Sequence, residues 1–388
     1  MVRKKINQII IISGILFLIT SAVNLEMPLF KIYSDNENFG IGMIGFAFAS
    51  YIGGLIPTAL FFGGLSEKIG KKKVLQIALI FSTVSVLIMI IYPNLFALFF
   101  ARIFVGSSVA LSIATSSSFL SELFETDKEK NSSNIVALST TLGFGGGALI
   151  TSIYLIYNTT LVPLTYWAIF MLSVFWFLIS FYLDETDFNK EKKTMRMPLF
   201  PKGSFQFNLS IALFWAITGI VISIIPSQIA KYDLGNWSGL FLFLINGTGA
   251  LFLPLAKKMT TRNSMIISYM LLPIGFSLIT FGSIYGQIIF ILIGCSVVGA
   301  VSYGFGYFAT LSGVSKLNPI EKTRVVSGYL LFAYLGFGIP SIIIGLTSET
   351  YGVENSLKAY LALTIFIIIF LSMNMVKKKT TAKMYLKK

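Results

Sequence analysis

The chain has 388 residues, of which 55% are hydrophobic, 15% aromatic and only 12% charged, with a mean hydropathy of +0.81. A soluble domain carries about twice that charged fraction, which excludes a soluble globular enzyme, a disordered chain and a coiled coil. One cysteine, Cys295, and no histidine remove disulfide scaffolds, zinc fingers, His-based metal sites and Ser-His-Asp triads. In so apolar a chain the net charge of +14 reads as lysines gathered on one side of a membrane rather than as a nucleic-acid surface.

A helix needs roughly 20 apolar residues to cross the hydrocarbon core. Twelve such runs follow one another, and the expected class is an all-α membrane protein. The first six predicted spans are 8–33, 40–65, 74–92, 95–123, 134–157 and 161–183. The second six are 205–230, 235–256, 264–285, 287–314, 325–347 and 357–376. The opening Met-Val-Arg-Lys-Lys and its apolar run are expected to be a retained first helix. The run is too long for a secretory signal and has no small-residue cleavage site.

Charge sets the expected orientation. With the N-terminus inside, the inner segments hold 26 of the 30 Lys and Arg residues, the outer loops hold Lys31, Lys231 and Lys358, and Arg102 lies within a span. That asymmetry predicts both termini to be cytoplasmic. The longest polar stretch, 184–204, divides the chain into an N-terminal six-helix bundle, 1–183, and a C-terminal bundle, 205–388, with a basic cytoplasmic tail. The tail's lysines suit anionic lipid, and no fold or aromatic platform supports nucleic-acid binding.

Between spans two and three stands Gly63-Gly64-Leu65-Ser66-Glu67-Lys68-Ile69-Gly70-Lys71-Lys72-Lys73. Gly63, Leu65, Glu67, Lys68, Gly70, Lys71 and Lys72 fit a signature of glycine, leucine, acid, base, glycine and two bases. The chain therefore resembles the major facilitator superfamily, with Glu67 where that family usually has aspartate. The resemblance implies two six-helix bundles around one midplane site, each side opening in turn. It also implies that Glu67 braces the halves by facing the start of span eleven, where a helix N-terminus favours an acid. An ordinary surface salt-bridge cluster is the plainer alternative. After span eight the corresponding loop reads Leu253-Pro254-Leu255-Ala256-Lys257-Lys258-Met259-Thr260, with Lys257 at the acid position, so the repeat is degraded.

An ionisable side chain inside a span costs about 2.5–3.5 kcal/mol on insertion scales and is functional by default. Glu26 in span one and Arg102 in span four are the clear cases, while Glu122 at the inner end of span four reaches water. Arg102 and Gly106, followed by Ser107, Ser108 and Ala110, resemble the span-four motif of proton-linked facilitators. Arginine does not give up its proton at ordinary pH, so Arg102 is expected to tune a neighbouring acid. Glu26 is the plausible partner and the expected proton carrier; a static bridge, or a Glu26 that snorkels outward, is the alternative.

Gly143, Gly145, Gly146 and Gly147 in span five, and Gly338 and Pro340 in span eleven, are expected helix-bending positions. The span-five cluster resembles, imperfectly, the glycine-rich motif of family antiporters, and close packing explains it as well. Candidates for the substrate cavity are Asn24, Tyr51, Trp215, Gln228, Asn246, Tyr303, Tyr307, Tyr329 and Tyr334.

With no phosphate-binding loop, the expected driving force is a proton gradient and no cofactor. The expected activity is proton-coupled export of amphipathic or cationic drugs or metabolites, with an uptake carrier or facilitator for a small metabolite as the alternative. No nucleophile, metal set or paired carboxylates at membrane depth suggest an enzyme, and no filter loop suggests a channel. The expected partners are a small-molecule substrate and the lipid bilayer of a bacterial inner membrane, with the protein acting as a monomer.

Overall fold

A computed structural model describes residues 2–124, 128–185, 188–191 and 193–385, with side chains from 3–124, 131–185, 188–191 and 193–375. The lysines of the expected basic tail, from 377 onward, lie outside the described side chains. In lipid every backbone polar group must be paired within the segment, which leaves helix as the solution for each apolar run. The described residues form helices and no β-sheet. Twelve of these helical stretches are long and apolar enough to cross a membrane. Spans one to six are Arg3–Asn36, Ile41–Phe62, Lys71–Ile91, Leu95–Leu123, Asn131–Tyr157 and Leu164–Tyr182. Spans seven to twelve are Phe205–Ser223, Gly235–Lys257, Thr261–Tyr285, Ile288–Ser315, Lys322–Tyr351 and Val353–Met375. An even number of crossings brings the chain back to the face it started from, here termed the basic face.

Local chemistry sets the ends. The side chain of Asn94 accepts from the backbone N–H of Ala97 at 2.7 Å and starts span four. Gly70, at φ +94°, turns the chain between the short helix Leu65–Ile69 and span three, a conformation a side chain would strain. Buried apolar side chains gather in two clusters. One runs from Ile11 to Leu183 and takes in Ile222 and Leu242; the other runs from Ile211 to Leu371.

Three spans depart from the continuous helices expected. Span one stops being α-helical at Asn24 and resumes as a 3-10 turn, Met27–Leu29, and a helix, Phe30–Asn36. Span seven breaks after Ser223 and resumes as Ile225–Ile229. In both, a proline (Pro28, Pro226) lacks the N–H that the previous turn needs. Span ten carries a π-helical segment, Ala300–Phe305, around Tyr303.

Candidate functional site

The break in span one builds the first part of the site. Once the helix stops at Asn24, the carbonyl of Val23 has no helical donor, and Arg102 of span four supplies one, its Nη1 donating to Val23 O at 2.5 Å. The same nitrogen lies 3.5 Å from Glu26 Oε1, and Nη2 donates to Phe48 O at 3.3 Å. Arg102 is fully buried and Glu26 is 4% exposed. The guanidinium sits against the rings of Phe30, Phe48 and Tyr51 at 5.9, 5.4 and 5.0 Å from their centroids, each an attractive cation–π geometry. Arg102 therefore ties spans one, two and four together and holds one buried acid.

Glu26 lines a crevice with Leu25, Ser85, Val86, Met89 and Tyr166, too narrow for a water molecule. Behind it the Tyr33 and Tyr166 hydroxyls meet at 3.0 Å, and Tyr33 donates to Leu161 O at 2.9 Å.

The second part lies at mid-membrane on the C-terminal half. Trp215 packs on Tyr303, Tyr334 and Phe337, with ring centroids 5.6, 5.4 and 6.2 Å away, and its Nε1 donates to Ser302 O at 3.1 Å. Ser302 donates in turn to Phe214 O at 2.9 Å and accepts from Thr218 at 3.2 Å. This knot pins span seven to the π-helical stretch of span ten. π-bulges recur where a helix re-aims side chains for function. Among the described residues the hydroxyls of Tyr51, Tyr303, Tyr307 and Tyr334 make no hydrogen bond, although Trp215, Tyr303, Tyr307 and Tyr334 are only half-buried. Arg102 stands against Phe48 and Tyr51, 5.4 and 5.0 Å from their ring centroids.

Other cavity candidates serve as ties. Asn24 donates to Phe144 O of span five at 2.7 Å, Gln228 to Ser283 O at 3.3 Å, and Asn246 to Leu242 O of its own helix at 2.9 Å. Tyr329 is fully buried, its hydroxyl 2.9 Å from that of Thr310. These side chains are correspondingly less free to meet a solute than the Trp215 group.

Spans five and eleven are uninterrupted helices, Lys128–Tyr157 and Lys322–Tyr351, with Gly338 and Pro340 inside the latter. A Cβ on Gly143 or Gly147 would lie 1.9 Å from Thr20 Oγ1 or 2.2 Å from Ser21 O, so both let span one close on span five. Gly145 meets Phe243 of span eight and Gly338 meets Ile52 of span two, while Gly146 has nothing within 4 Å. Their smallness serves contact between helices.

Away from the basic face the halves interlock. Glu349, at the end of span eleven, accepts from the N–H of Gly42 at the start of span two at 2.9 Å. Ser152, near the end of span five, accepts from the N–H of Gly239 at the start of span eight, also at 2.9 Å. Phe48 and Phe337 stack across the seam at 4.9 Å. At the basic face Glu67 pairs with Arg196 of the polar segment between the halves at 2.6 Å. Glu67 was expected to face the start of span eleven, and Arg196 is a partner described for it here. Lys71 is buried and pairs with Glu122, and Lys72 donates to Phe181 O at 2.9 Å. Sequence reading missed Phe48, Phe337, Ser302, Glu349 and Arg196. Glu349 had a detectable signal, an acid placed where a helix N-terminus attracts one, but its partner is 307 residues away.

Comparison with known proteins places this geometry. A family model described as Major Facilitator Superfamily matches residues 9–339. A relative named only as an uncharacterized transporter, from Buchnera aphidicola subsp. Schizaphis graminum (strain Sg), is 23% identical over 303 residues, 72% of this chain and 70% of its own. Among solved structures, a mutant of the nucleoside transporter NupG superposes with a TM-score of 0.77 at 15% identity, covering 95% of this chain and 99% of its own. The xylose transporter XylE from E. coli, in an inward-open conformation, gives 0.72 at 13% identity over 94% of both chains. A bacterial homolog of the human lysosomal transporter Spinster, inward-facing and unoccupied, gives 0.71 at 10% identity over 95% and 96%.

Proposed function

Since the chain belongs to the major facilitator superfamily, we propose that this multi-pass membrane transporter is a proton-coupled carrier for a small uncharged metabolite, working as a monomer by alternating access in a bacterial inner membrane. The basic face is cytoplasmic on this reading, because the Lys and Arg residues cluster there. The interlocked opposite face then makes this the inward-open state. The proton gradient is the driving force, worth about 2.3 kcal/mol per charge per 100 mV.

One observation carries the reading: the buried acid is held by Arg102, which packs on Phe48 and Tyr51, while the Trp215 group meets Phe48 through Phe337 and contributes aromatic rings rather than an acid. A cationic substrate would need an acid within reach, whereas the Trp215 group offers ring faces and unpartnered hydroxyls, which suit a neutral, ring-bearing, hydroxylated solute. That the matched structures include nucleoside and xylose transporters supports the same solute class. Proton loading reaches the solute through packing. Arg102 holds Glu26 on one side and the carbonyl of Phe48 on the other, and Phe48 leans on Phe337, which touches Trp215. Protonating Glu26 removes the charge that steadies Arg102, and the span-two wall relaxes with it. Gly63, Leu65, Glu67, Lys68, Gly70, Lys71 and Lys72 form the gating loop of the cytoplasmic side, Glu67 meeting span eleven once that side closes.

A second reading, export of amphipathic compounds, rests on the apolar breadth of the same aromatic patch. Proteoliposomes loaded against an imposed proton gradient, with uridine, xylose and a set of cationic amphipaths as solutes, separate the two. The first reading expects one of the neutral solutes to be concentrated by wild type. Glu26→Gln should retain solute exchange at equilibrium and lose at least tenfold in gradient-driven uptake. Undiminished accumulation by a well-folded Glu26→Gln removes Glu26 as the carrier. Proton release provoked by the amphipaths, with no uptake of neutral solutes, favours export.

A further inference from the structure

Residues 193–200 of the segment between the halves run in extended form across the basic face, with alternate side chains turned in and out. The strand satisfies the exposed end of span two. Arg196 N–H donates to Leu60 O, one of the last carbonyls of that helix, at 2.8 Å, and Thr194 O accepts from Gly64 N–H at 2.8 Å. Arg196 also binds Glu67 at 2.6 Å. A few residues on, the strand is clipped to span eleven. Leu199 N–H donates to Arg324 O at 3.0 Å, Arg324 Nε donates to Met197 O at 3.1 Å, and Phe200 meets Phe332 edge-on at 5.8 Å. Gly328 admits the strand, since a Cβ there would lie 2.7 Å from Leu199 O.

We propose that this strand is a wedge that holds the basic face open, and that it must leave its groove before the face can close. The argument is geometric. The strand lies between the end of span two and the start of span eleven, the two helix ends that a closed basic face would bring together. It also occupies Glu67, whose carboxylate would be needed at the start of span eleven. Bonds made in one state and lost in the other bias the equilibrium toward the state that has them. Leu60 and Arg324 hold the segment between the two helix ends, so closing the face would leave no gap for it in its present place. The inference needs only two alternating states and holds whatever the solute is.

The test uses the full chain in lipid nanodiscs, with Cys295→Ala as background and spin labels on Lys68→Cys and Lys258→Cys, exposed positions of the two halves at the basic face. Pulsed electron–electron resonance reads their separation. Arg196→Ala should raise the ratio of short to long distances about two- to fivefold, the range for one half-exposed ion pair. Arg196→Pro, which also removes the N–H bound to Leu60, should raise it further. Exchanging the pair as Glu67→Arg with Arg196→Glu should return the wild-type distribution. Melting temperatures within a few degrees of wild type certify the variants as folded. An unchanged distribution in both Arg196 variants, or a shift to longer distances, overturns the wedge; the latter would make the strand a tether.

Discussion

The two halves repeat a backbone and differ in what they place on it. Span one breaks before Pro28 and span seven before Pro226, and two residues ahead of each proline stand Glu26 and Ile224. In span four Arg102 precedes Gly106 by one turn; in span ten Cys295 precedes Gly299 by the same step. The glycines do one job, since a Cβ would come 2.1 Å from Tyr51 O in span two or 2.3 Å from Ile245 O in span eight. The acid and base of one half are thus replaced by two buried apolar side chains in the other. The aromatic patch with free hydroxyls shows the reverse bias, being mostly C-terminal. Duplicated architecture permits this division, with ionisable chemistry in one half and ring contacts in the other, because helix packing depends on glycine and proline positions that both halves keep.

The largest expected effect comes from breaking the charged side of that comparison. Arg102→Ala strands Glu26 in a buried site and leaves Val23 O unpaired, a loss of about 3–5 kcal/mol when one member of a buried pair is removed. Arg102→Lys should recover little, since one ammonium does not span Val23 O, Phe48 O and Glu26 as a planar guanidinium does. Cys295→Ala, at the corresponding position, should cost about 1 kcal/mol or less, as a small volume change in an apolar site. Thermal unfolding in detergent compares them. Equal losses at Arg102 and Cys295 would mean that the pair is not what holds the break.

Next in size are the positions the halves share. Gly106→Ala and Gly299→Ala should each cost about 1–3 kcal/mol, because the added methyl meets backbone rather than a movable side chain. Gly146→Ala, with nothing within 4 Å, is the neutral control. A large difference between Gly106 and Gly299 would show that the repeat is not mechanical. Smaller still is the hydroxyl contribution. Tyr303→Phe and Tyr334→Phe should leave folding intact and weaken solute binding about threefold to tenfold each, the worth of one neutral hydrogen bond. Isothermal titration with the transported solute reads this, and unchanged affinity in both would place the solute elsewhere.

Much of this was legible in the sequence because lipid leaves few options. Apolar runs in a bilayer must be helices, and a buried arginine must find a partner, so the twelve spans and the Glu26–Arg102 pair followed from residue type and depth alone. The broken helices were less visible. Pro28 and Pro226 stood in plain view, yet each run stayed apolar across the break, and hydropathy does not register a lost N–H. The glycines' packing role was less visible, because flexibility and smallness have the same sequence signature, and the neighbouring backbone at Ser21 and Phe243 shows the smallness in use. The strand at 193–200 was out of reach, since its hold on Leu60 and Arg324 is made largely through main-chain groups that carry no residue code.

The smallest expected effect sits at the basic face of the N-terminal half, where Asp184 closes span six onto the start of span one. Its carboxylate binds Lys4 at 2.8 Å and accepts from Gln8 Nε2. The hydrogen bond from Lys4 holds the carboxyl below its ordinary value, with Gln8 and Lys72 adding to it and partial burial opposing. A carboxyl depressed in the folded state adds stability above its unfolded value, about pH 3.9, and loses it as pH falls through the folded one. Asp184 is about half exposed, so solvent screening keeps the contribution within the surface-pair range of about 0–1 kcal/mol. Asp184→Asn should therefore lower the melting temperature slightly and equally at pH 7 and pH 5, and the difference from wild type should shrink as pH falls below about 3.9. In the second half Pro201 and Lys202 stand in place of Arg3 and Lys4. A difference that showed no decline as pH fell through the acid range would mean that Asp184 acts through shape and hydrogen bonding rather than through its charge.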